Sequence, residues 1–439
     1  MTAAPATADS PREFALRSRR VVTPDGERAA TVRVRDGRIA AIEAYDSPDD
    51  SAEDLGGMAL LPGLVDPHVH LNEPGRTDWE GFSHGTAAAA AGGVTTLVDM
   101  PLNSSPVTTT VEALAAKRDA AQGKLSVDVA FHAGLVPGGA DRLPALLDAG
   151  AVGVKAFLCH SGIDEFPAAT EEDLRAAARM LAERGAPLLA HAELTGPTPA
   201  MADPRRYADY LATRPPEFER DAIELLIKLC RETGCRTHVV HLADAACLPL
   251  LAAARAEGLP LSVETCPHYL TFSAEEIPDG ATAFKCAPPI RSAANREGLW
   301  RGLAEGVIDF VATDHSPSPP ELKHLEDGRF DLAWGGVSSL QLALPAVWTE
   351  ASKRGHSMAD VARWMATSPA KLVGLPAGIV AGAPANLVAF DPEATFTVVG
   401  AELKSRHPVT PYEGRELRGV VRRVYLRGKK PTPGRGRVL

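Results

Sequence analysis

GLVDPHVH (residues 63–70) is an apolar run that ends in His-Val-His, and seven runs of similar composition follow it along the chain. Each run is short and rich in Val, Leu and Ile, and Ala-rich segments of helical length separate the runs. The seven are VTTLVDMP (94–101), VDVAFHAGL (127–135), VGVKAFL (152–158), PLLAHAEL (187–194), THVVHL (237–242), LSVETCPHYL (261–270) and VIDFVATDHS (307–316). Eight strand–helix repeats predict an α/β fold, a (β/α)8 TIM-like barrel.

An open doubly wound sheet is the main alternative fold. It would usually show fewer strands and a glycine-rich turn that binds phosphate. The chain contains no G-x-G-x-x-G, P-loop or G-x-S-x-G pattern. The barrel is therefore the favoured fold.

Both ends of the chain have a different sequence pattern, in which short strand-like stretches alternate with turn residues. FALRSRRVVT and ATVRVRDGRIAAIEA lie near the start, and ANLVAFDP and GVVRRVYLRGKK lie near the end. Neither end has enough strands to bury a face alone, so we expect the two ends to form one small β-sandwich domain. The predicted division is a flexible N-terminus (1–11), the β domain (12–62 and 373–439) and the barrel (63–372). The basic cluster from Lys429 to Arg437 is expected to be a solvated tail.

Composition narrows the class of protein. Of 439 residues, 45% are hydrophobic and 23% are charged, which is typical of a globular protein. The net charge of −10 argues against a nucleic-acid partner. The start lacks a signal pattern and no apolar run is long enough for a membrane span, so we expect no membrane partner and a cytoplasmic location. The six cysteines are irregularly spaced and are expected to be reduced thiols.

Potential metal ligands recur late in the predicted strands. They are His68 and His70 in the first run, Lys155 in the fourth, His191 in the fifth, His241 in the sixth and Asp314 in the eighth. The carboxyl ends of barrel strands share one mouth, so these side chains should converge there. Imidazoles that converge with a carboxylate indicate a metal site. For the other histidines (His84, His132, His238, His268, His324, His356 and His407) structural roles are expected.

Four of these positions have alternative interpretations. His68 and His70 share one strand face and could hold one ion, although an H-x-H pair also occurs in ordinary packing. Lys155 puts an amine in a buried run, so it either pairs with a carboxylate such as Glu264 or Asp99 or becomes a carbamate that bridges two cations. Asp314 could bind metal and accept a proton, or cap a turn.

Several segments together resemble the allantoinases, cyclic amide hydrolases of the amidohydrolase superfamily, over nearly the whole chain. They are GLVDPHVHLNEPGR, GGVTTLVDMPLNSSP, GVKAFLCHSGIDEFP, ETCPHYL, KCAPPIR, TDHSPSPPELK and AWGGVSSLQ. The resemblance implies that His68 and His70 bind one metal and that His191 and His241 bind a second. It also implies that Lys155, carboxylated by CO2 to N6-carboxylysine, bridges the two metals and that Asp314 is both a ligand and the catalytic acid/base. Zinc is the expected metal, with cobalt, manganese or iron as alternatives.

The same resemblance implies the substrate and the assembly. The expected reaction opens the hydantoin ring of allantoin, a small ureide, to allantoate in purine nitrogen degradation, and the expected assembly is a homotetramer. Similar dihydroorotases carry Arg where this chain has Asn72, which favours a neutral ring. Hydantoinases usually carry Tyr where this chain has His160, which makes His160 a candidate oxyanion helper.

Further candidate contacts to the substrate are Asn72, Asn103 and the backbone of Cys286 and Ala287. Two alternative functions stay open. One is a hydantoinase or dihydropyrimidinase that shares the metals and the mechanism, and the other is a metal-free relative that acts as a binding protein.

Overall fold

The computed structural model describes residues 13–49 and 51–439, so the predicted flexible N-terminus (1–11) lies outside the described residues. The strands are β1 Glu13–Thr23, β2 Gly26–Arg35, β3 Arg38–Ala44, β4 Glu53–Asp54, β5 Ala59–Pro62, β6 Leu64–Val69, β7 Val94–Asp99, β8 Asp128–Phe131, β9 Ala133–Gly134, β10 Val154–Phe157, β11 Leu188–His191, β12 Thr237–Val239, β13 Leu261–Thr265, β14 Phe310–Val311, β15 Leu387–Thr397 and β16 Glu416–Tyr425.

The α-helices lie between and after the barrel strands. They are α1 Phe82–Ala91, α2 Val111–Ala121, α3 Leu143–Asp148, α4 Glu171–Arg184, α5 Tyr207–Ala212, α6 Glu217–Thr233, α7 Leu248–Ala256, α8 Pro267–Thr271, α9 Ala293–Ala304, α10 Ala343–Lys353, α11 Met358–Ala362 and α12 Ser368–Leu372. A π-helical turn at Arg363–Thr367 joins α11 to α12. Within residues 13–49 and 51–439, no helix has the length and apolar character that crossing a membrane requires.

The predicted (β/α)8 barrel is present. Strands β6, β7 and β8 pair in parallel, and β9 to β14 pair in parallel in chain order. Strand β9 continues β8 after a single residue, which makes them one barrel strand. A parallel bridge between Val69 and His315, with the His70 amide donating to the His315 carbonyl at 2.8 Å, joins the eighth strand to the first. Because helices cover the outside and side chains fill the inside, the strands are nearly continuous apolar runs.

The barrel strands are shorter than the predicted runs, and the difference is largest for the last two. The seventh run was expected to be extended to Leu270, but the strand ends at Thr265 and helix α8 begins at Pro267. Proline is well suited to the first turn of a helix, where its missing N–H would have no partner. The eighth strand keeps ladder bonds only at Phe310 and Val311, so Asp314 stands on irregular backbone beyond the strand.

Strands from both chain ends form one seven-stranded sheet, as the sequence predicts. Its order is β16-β15-β5-β1-β2-β3, and β4 also pairs with β1. Strand β5 links the two ends, because it pairs in parallel with β1 and antiparallel with β15. Its residues Ala59–Pro62 directly precede the first barrel strand, so the sheet leads into the barrel.

Most basic side chains of the C-terminal segment are exposed, as expected of a solvated tail, but the backbone of the segment is bound to the barrel. The Asp128 carboxylate accepts hydrogen bonds from Arg427 and, at 2.9 Å, from the backbone amide of Arg437. The amide of Leu439 donates to the carbonyl of Val129 at 2.9 Å. The segment is therefore held against barrel strand β8, because a buried carboxylate there requires donors.

A buried ion pair positions the loop that follows the first barrel strand. Lys117 Nζ lies 2.6 Å from Asp99 Oδ2, and both side chains are 1% exposed. The other oxygen, Asp99 Oδ1, accepts a hydrogen bond from the Leu71 amide at 2.7 Å. The pair therefore ties α2 and β7 to the residue that follows His70.

Lys117→Met should strongly destabilise the protein, because it leaves the Asp99 charge buried without a partner. The expected loss is about 3–5 kcal/mol, measured as a lower thermal unfolding midpoint. Arg184→Met is the matched control, since its partner Asp148 and Arg184 itself are both exposed, and it should cost less than about 1 kcal/mol. Equal midpoints for the two variants would contradict this role of the pair.

Candidate metal centre

A cavity of about 390 Å³ opens at the carboxyl ends of the barrel strands. All six metal ligands predicted from the sequence line it, namely His68, His70, Lys155, His191, His241 and Asp314. They come from five different barrel strands or the residues just after them, and all are at most 8% exposed. The convergence expected from their late positions in the strands is therefore present.

The first subset consists of His68, His70 and Asp314. The Nε2 atoms of His68 and His70 lie 3.2 and 3.3 Å from the same carboxylate oxygen, Asp314 Oδ1. Ligand atoms of all three residues lie within 4.8 Å of one another. Burial would raise the pKa of Asp314, but the charge of His68 and a hydrogen bond from His70 hold it at about 2. An ionised carboxylate with two imidazole nitrogens is a donor set that suits a divalent cation.

The second subset consists of His191 and His241. Their ring nitrogens Nδ1 and Nε2 lie 3.0 Å apart. The other nitrogen of His191, Nε2, lies 2.8 Å from Glu193 Oε2, so a proton on Nε2 is stabilised there. This leaves the lone pair of Nδ1 on the side of His241, and a carboxylate behind a metal-binding histidine is a common arrangement. The pair fits a shared cation.

Lys155 lies between the two subsets along the ring of strands and has no hydrogen-bond partner. Its side chain is 1% exposed, and Nζ is a buried atom without a polar contact among the described residues. Burial lowers the pKa of the amine to about 8, and the charges of Asp314 and Glu264 counteract this only in part. An unpaired buried amine is costly, so the site is incomplete as the bare chain.

Neither carboxylate that was considered as an ion-pair partner for Lys155 is available. Asp99 is paired with Lys117 at 2.6 Å. Glu264 accepts hydrogen bonds from His68 Nδ1, from His238 Nε2 at 3.0 Å and from the His241 amide at 3.3 Å. Among the described residues, neither carboxylate forms an ion pair with Lys155.

Glu264 orients two of the candidate ligands from β13. Burial would raise its pKa, but the charge of His68 and the hydrogen bonds from His238 and His68 outweigh burial and hold the pKa well below its usual range. The carboxylate fixes a proton on His68 Nδ1, which leaves Nε2 free on the side of Asp314. His238 has the structural role expected of it, since it bridges Glu264 and Ser262.

Asp66 connects the first strand to the loop that carries Asp314. Its Oδ1 accepts from the amides of His68 and Thr313, each at 3.2 Å, and its Oδ2 accepts from the Thr313 hydroxyl at 2.5 Å. Burial raises the pKa of Asp66 to about 7. Asp66 therefore helps to fix the position of His68 relative to Asp314.

Backbone strain concentrates at the site. Among the described residues, seven that are not glycine have a positive φ, and four of them are Asn72, Asn103, His241 and Asp314. This conformation costs about 1–3 kcal/mol for such residues and persists where the surroundings impose it. Two candidate ligands are thus held in conformations that their own backbones disfavour.

The candidate substrate contacts divide into two groups. Asn103, His160 and Ala287 line the cavity, and the His160 side chain is 65% exposed at its rim. Asn72 and Cys286 are not among the residues that line it. Asn72 is 1% exposed with its Nδ2 directed at the Pro317 carbonyl, at 3.4 Å, and the Cys286 carbonyl accepts from the Tyr210 hydroxyl at 2.6 Å.

Sequence reasoning missed several residues of the cavity wall. They are Tyr210, Arg214, Lys285, Ser316 and Trp334. Lys285 and Trp334 lie in KCAPPIR and AWGGVSSLQ, which carried the resemblance, but no role was assigned to either residue. Tyr210 and Arg214 lie in and after the short helix α5, where the sequence shows no motif, so only the fold brings them to the cavity.

Comparisons with known proteins agree with this geometry. Residues 59–430 match the model of the amidohydrolase family. The allantoinase of Streptomyces avermitilis is 52% identical over 427 residues, which cover 95% of both chains. The allantoinase of Arabidopsis thaliana is 45% identical over 94% of this chain and 87% of the plant protein.

Solved structures with the same fold are hydantoinases. The L-hydantoinase (dihydropyrimidinase) of Arthrobacter aurescens aligns with a TM-score of 0.87 at 30% identity and covers 97% of both chains. A D-hydantoinase aligns with a TM-score of 0.87 at 27% identity over 97% of this chain and 98% of its own. The barrel, the converging histidines and these relatives lead to one conclusion: the chain belongs to the amidohydrolase family and, within it, to the group of the curated allantoinases.

Proposed function

We propose that the chain hydrolyses the hydantoin ring of allantoin to allantoate, and that a divalent metal centre carries the reaction. One observation supports metal-dependent chemistry. Six buried side chains of the kinds that bind metals line one cavity, and Lys155 Nζ has no hydrogen-bond partner among the described residues. The names of the curated relatives support allantoin as the ring. The step belongs to purine nitrogen degradation.

The ligands are assigned by subset. His68, His70 and Asp314 hold one ion, and His191 and His241 hold the second. Lys155 would reach both as N6-carboxylysine, which forms when the neutral amine adds CO2 and releases a proton to solvent. The low pKa of the amine supports this, because the neutral form is the one that adds CO2. Divalent ions held here supply Lewis-acid polarisation of the ring carbonyl and lower the pKa of water.

The chain's own residues account for proton transfer and orientation. Asp314 is ionised at neutral pH and lies at the cavity wall, so it can accept a proton from the attacking water and pass it to the leaving ring nitrogen. Glu193 and Glu264 keep the protons of His191 and His68 on the nitrogens that face away from the ions. Asn103 and the backbone of Ala287 provide hydrogen-bonding groups for the ring.

Three further parts of the proposal rest on the sequence analysis alone. The ions are zinc, the assembly is a homotetramer and the location is cytoplasmic. Elemental analysis of the purified protein tests the first part, sedimentation tests the second and cell fractionation tests the third.

A comparison of turnover on four cyclic substrates tests whether allantoin is the preferred one. Purified protein with a counted metal content should open allantoin with the highest kcat/KM among allantoin, hydantoin, dihydrouracil and dihydroorotate. About two metal ions per chain are expected. Preference for hydantoin or dihydrouracil would move the assignment to a hydantoinase or dihydropyrimidinase. No turnover and no metal would favour a binding protein.

Lys155→Ala should remove the bridge between the ions. The expected result is loss of most activity, at least about 100-fold in kcat, together with fewer than two ions per chain by elemental analysis. Lys228→Ala is the control, because Lys228 is exposed on α6 and pairs only with Glu171, and it should keep both activity and metal. Near-normal turnover with two bound ions in Lys155→Ala would show that the bridging role is wrong.

A further inference from the structure

Arg214 occupies a part of the cavity wall that has no role in the proposed chemistry. It follows helix α5, and both its backbone amide and its backbone carbonyl form hydrogen bonds. The Arg214 amide donates to the Leu211 carbonyl at 3.1 Å, and the Arg214 carbonyl accepts from Arg291 Nη1 at 3.3 Å. Its side chain is 24% exposed and lines the same cavity as the metal ligands.

One carboxylate separates Arg214 from the metal centre. Arg214 Nη1 donates to Glu193 Oε2, and the same oxygen lies 2.8 Å from His191 Nε2. Glu193 is fully buried, so the guanidinium cannot move without leaving a buried carboxylate short of a partner. The guanidinium is therefore held in place next to the second metal subset.

Most of the donors of Arg214 are left for a ligand. A guanidinium has five N–H donors, and in the part of the chain that the structure describes only the bond from Nη1 to Glu193 engages the side chain. Glu193 also balances the positive charge. The pair therefore offers directional donors with little net charge, which suits a neutral carbonyl acceptor better than a carboxylate.

We propose that Arg214 is the residue that recognises the ureido substituent of the substrate, by donating to its carbonyl oxygen. The inference rests on the proposed function. In allantoin the ureido group is attached to the ring carbon next to the carbonyl that is attacked. A group that binds the ureido substituent must lie beside the metal ligands. Arg214 meets this requirement, because it is bonded to Glu193 and Glu193 contacts the candidate ligand His191. Hydantoin and dihydrouracil lack this substituent, so Arg214 determines specificity among these rings.

The second cation of the wall is less suited to this role. Lys285 Nζ donates to the Ala333 carbonyl at 2.5 Å and lies 5.5 Å from the centre of the Tyr210 ring. Burial and the nearby charge of Arg214 lower the pKa of Lys285 to about 8. Its amine is thus engaged by the protein and partly neutral, whereas Arg214 remains charged and keeps free donors.

The test compares Arg214→Met with wild type on two rings. For allantoin, kcat/KM should fall about 10- to 100-fold, which corresponds to the loss of a hydrogen bond from a charged donor. For hydantoin, the affinity should change less than about threefold. It is measured as KM where hydantoin is opened, and as its inhibition constant against allantoin where it is not. Metal content is counted for each protein.

Two further variants exclude a structural explanation. Arg206 directly precedes the same helix, but it pairs with Asp209 and is not among the residues that line the cavity. The Arg206→Met variant should therefore behave as wild type on both rings. Arg214→Lys keeps the charge beside Glu193 but loses the planar fork. It should retain the metal and still lose most of the preference for allantoin.

The outcomes separate this inference from the proposed function. Wild type that opens allantoin, with Arg214→Met and Arg214→Lys weakened equally on both rings, would overturn the role of Arg214 and leave the proposed function intact. Wild type that prefers hydantoin to allantoin would overturn both. Loss of preference for allantoin alone, with metal retained in at least one variant, supports the inference.

Discussion

The site depends on one electrostatic constraint: an amine inside the barrel has no hydrogen-bond partner in the part of the chain that the structure describes. Lys155 Nζ is buried without a hydrogen-bond partner among the described residues. Asp99 is paired with Lys117, and Glu264 accepts hydrogen bonds from His68 and His238. A buried amine in this position is tolerated where a ligand or a modification completes it. The proposed carboxylation together with two cations would meet that requirement and would give the surrounding imidazoles their partners.

Three buried carboxylates behind the cavity wall orient the candidate ligands that line it. Glu264 orients His68, Glu193 orients His191, and Asp66 joins the strand of His68 to the loop of Asp314. None of these three needs to touch the substrate. They limit where each ligand atom can lie, and the positive φ of His241 and Asp314 is maintained by the same network.

The sequence predicted the barrel and the ligand positions because both follow from local patterns. Apolar runs mark buried parallel strands, and their ends meet at one mouth, so His68 and Asp314 could be placed together without coordinates. Arg214 could not, since it follows a six-residue helix with no motif and reaches the cavity only through the path of the chain. The attachment of the C-terminal segment could not be predicted either, because its basic side chains are mostly exposed and Asp128, which accepts the Arg427 and Arg437 donors, is far away in the sequence.

The most direct test of the metal centre is a crystal structure of the metal-loaded protein with anomalous diffraction recorded at the absorption edge of the bound metal. The account predicts two anomalous peaks, one beside His68, His70 and Asp314 and one beside His191 and His241. It also predicts additional density on Lys155 Nζ that reaches both peaks. A single peak, or two peaks beside an unmodified Lys155, would contradict it.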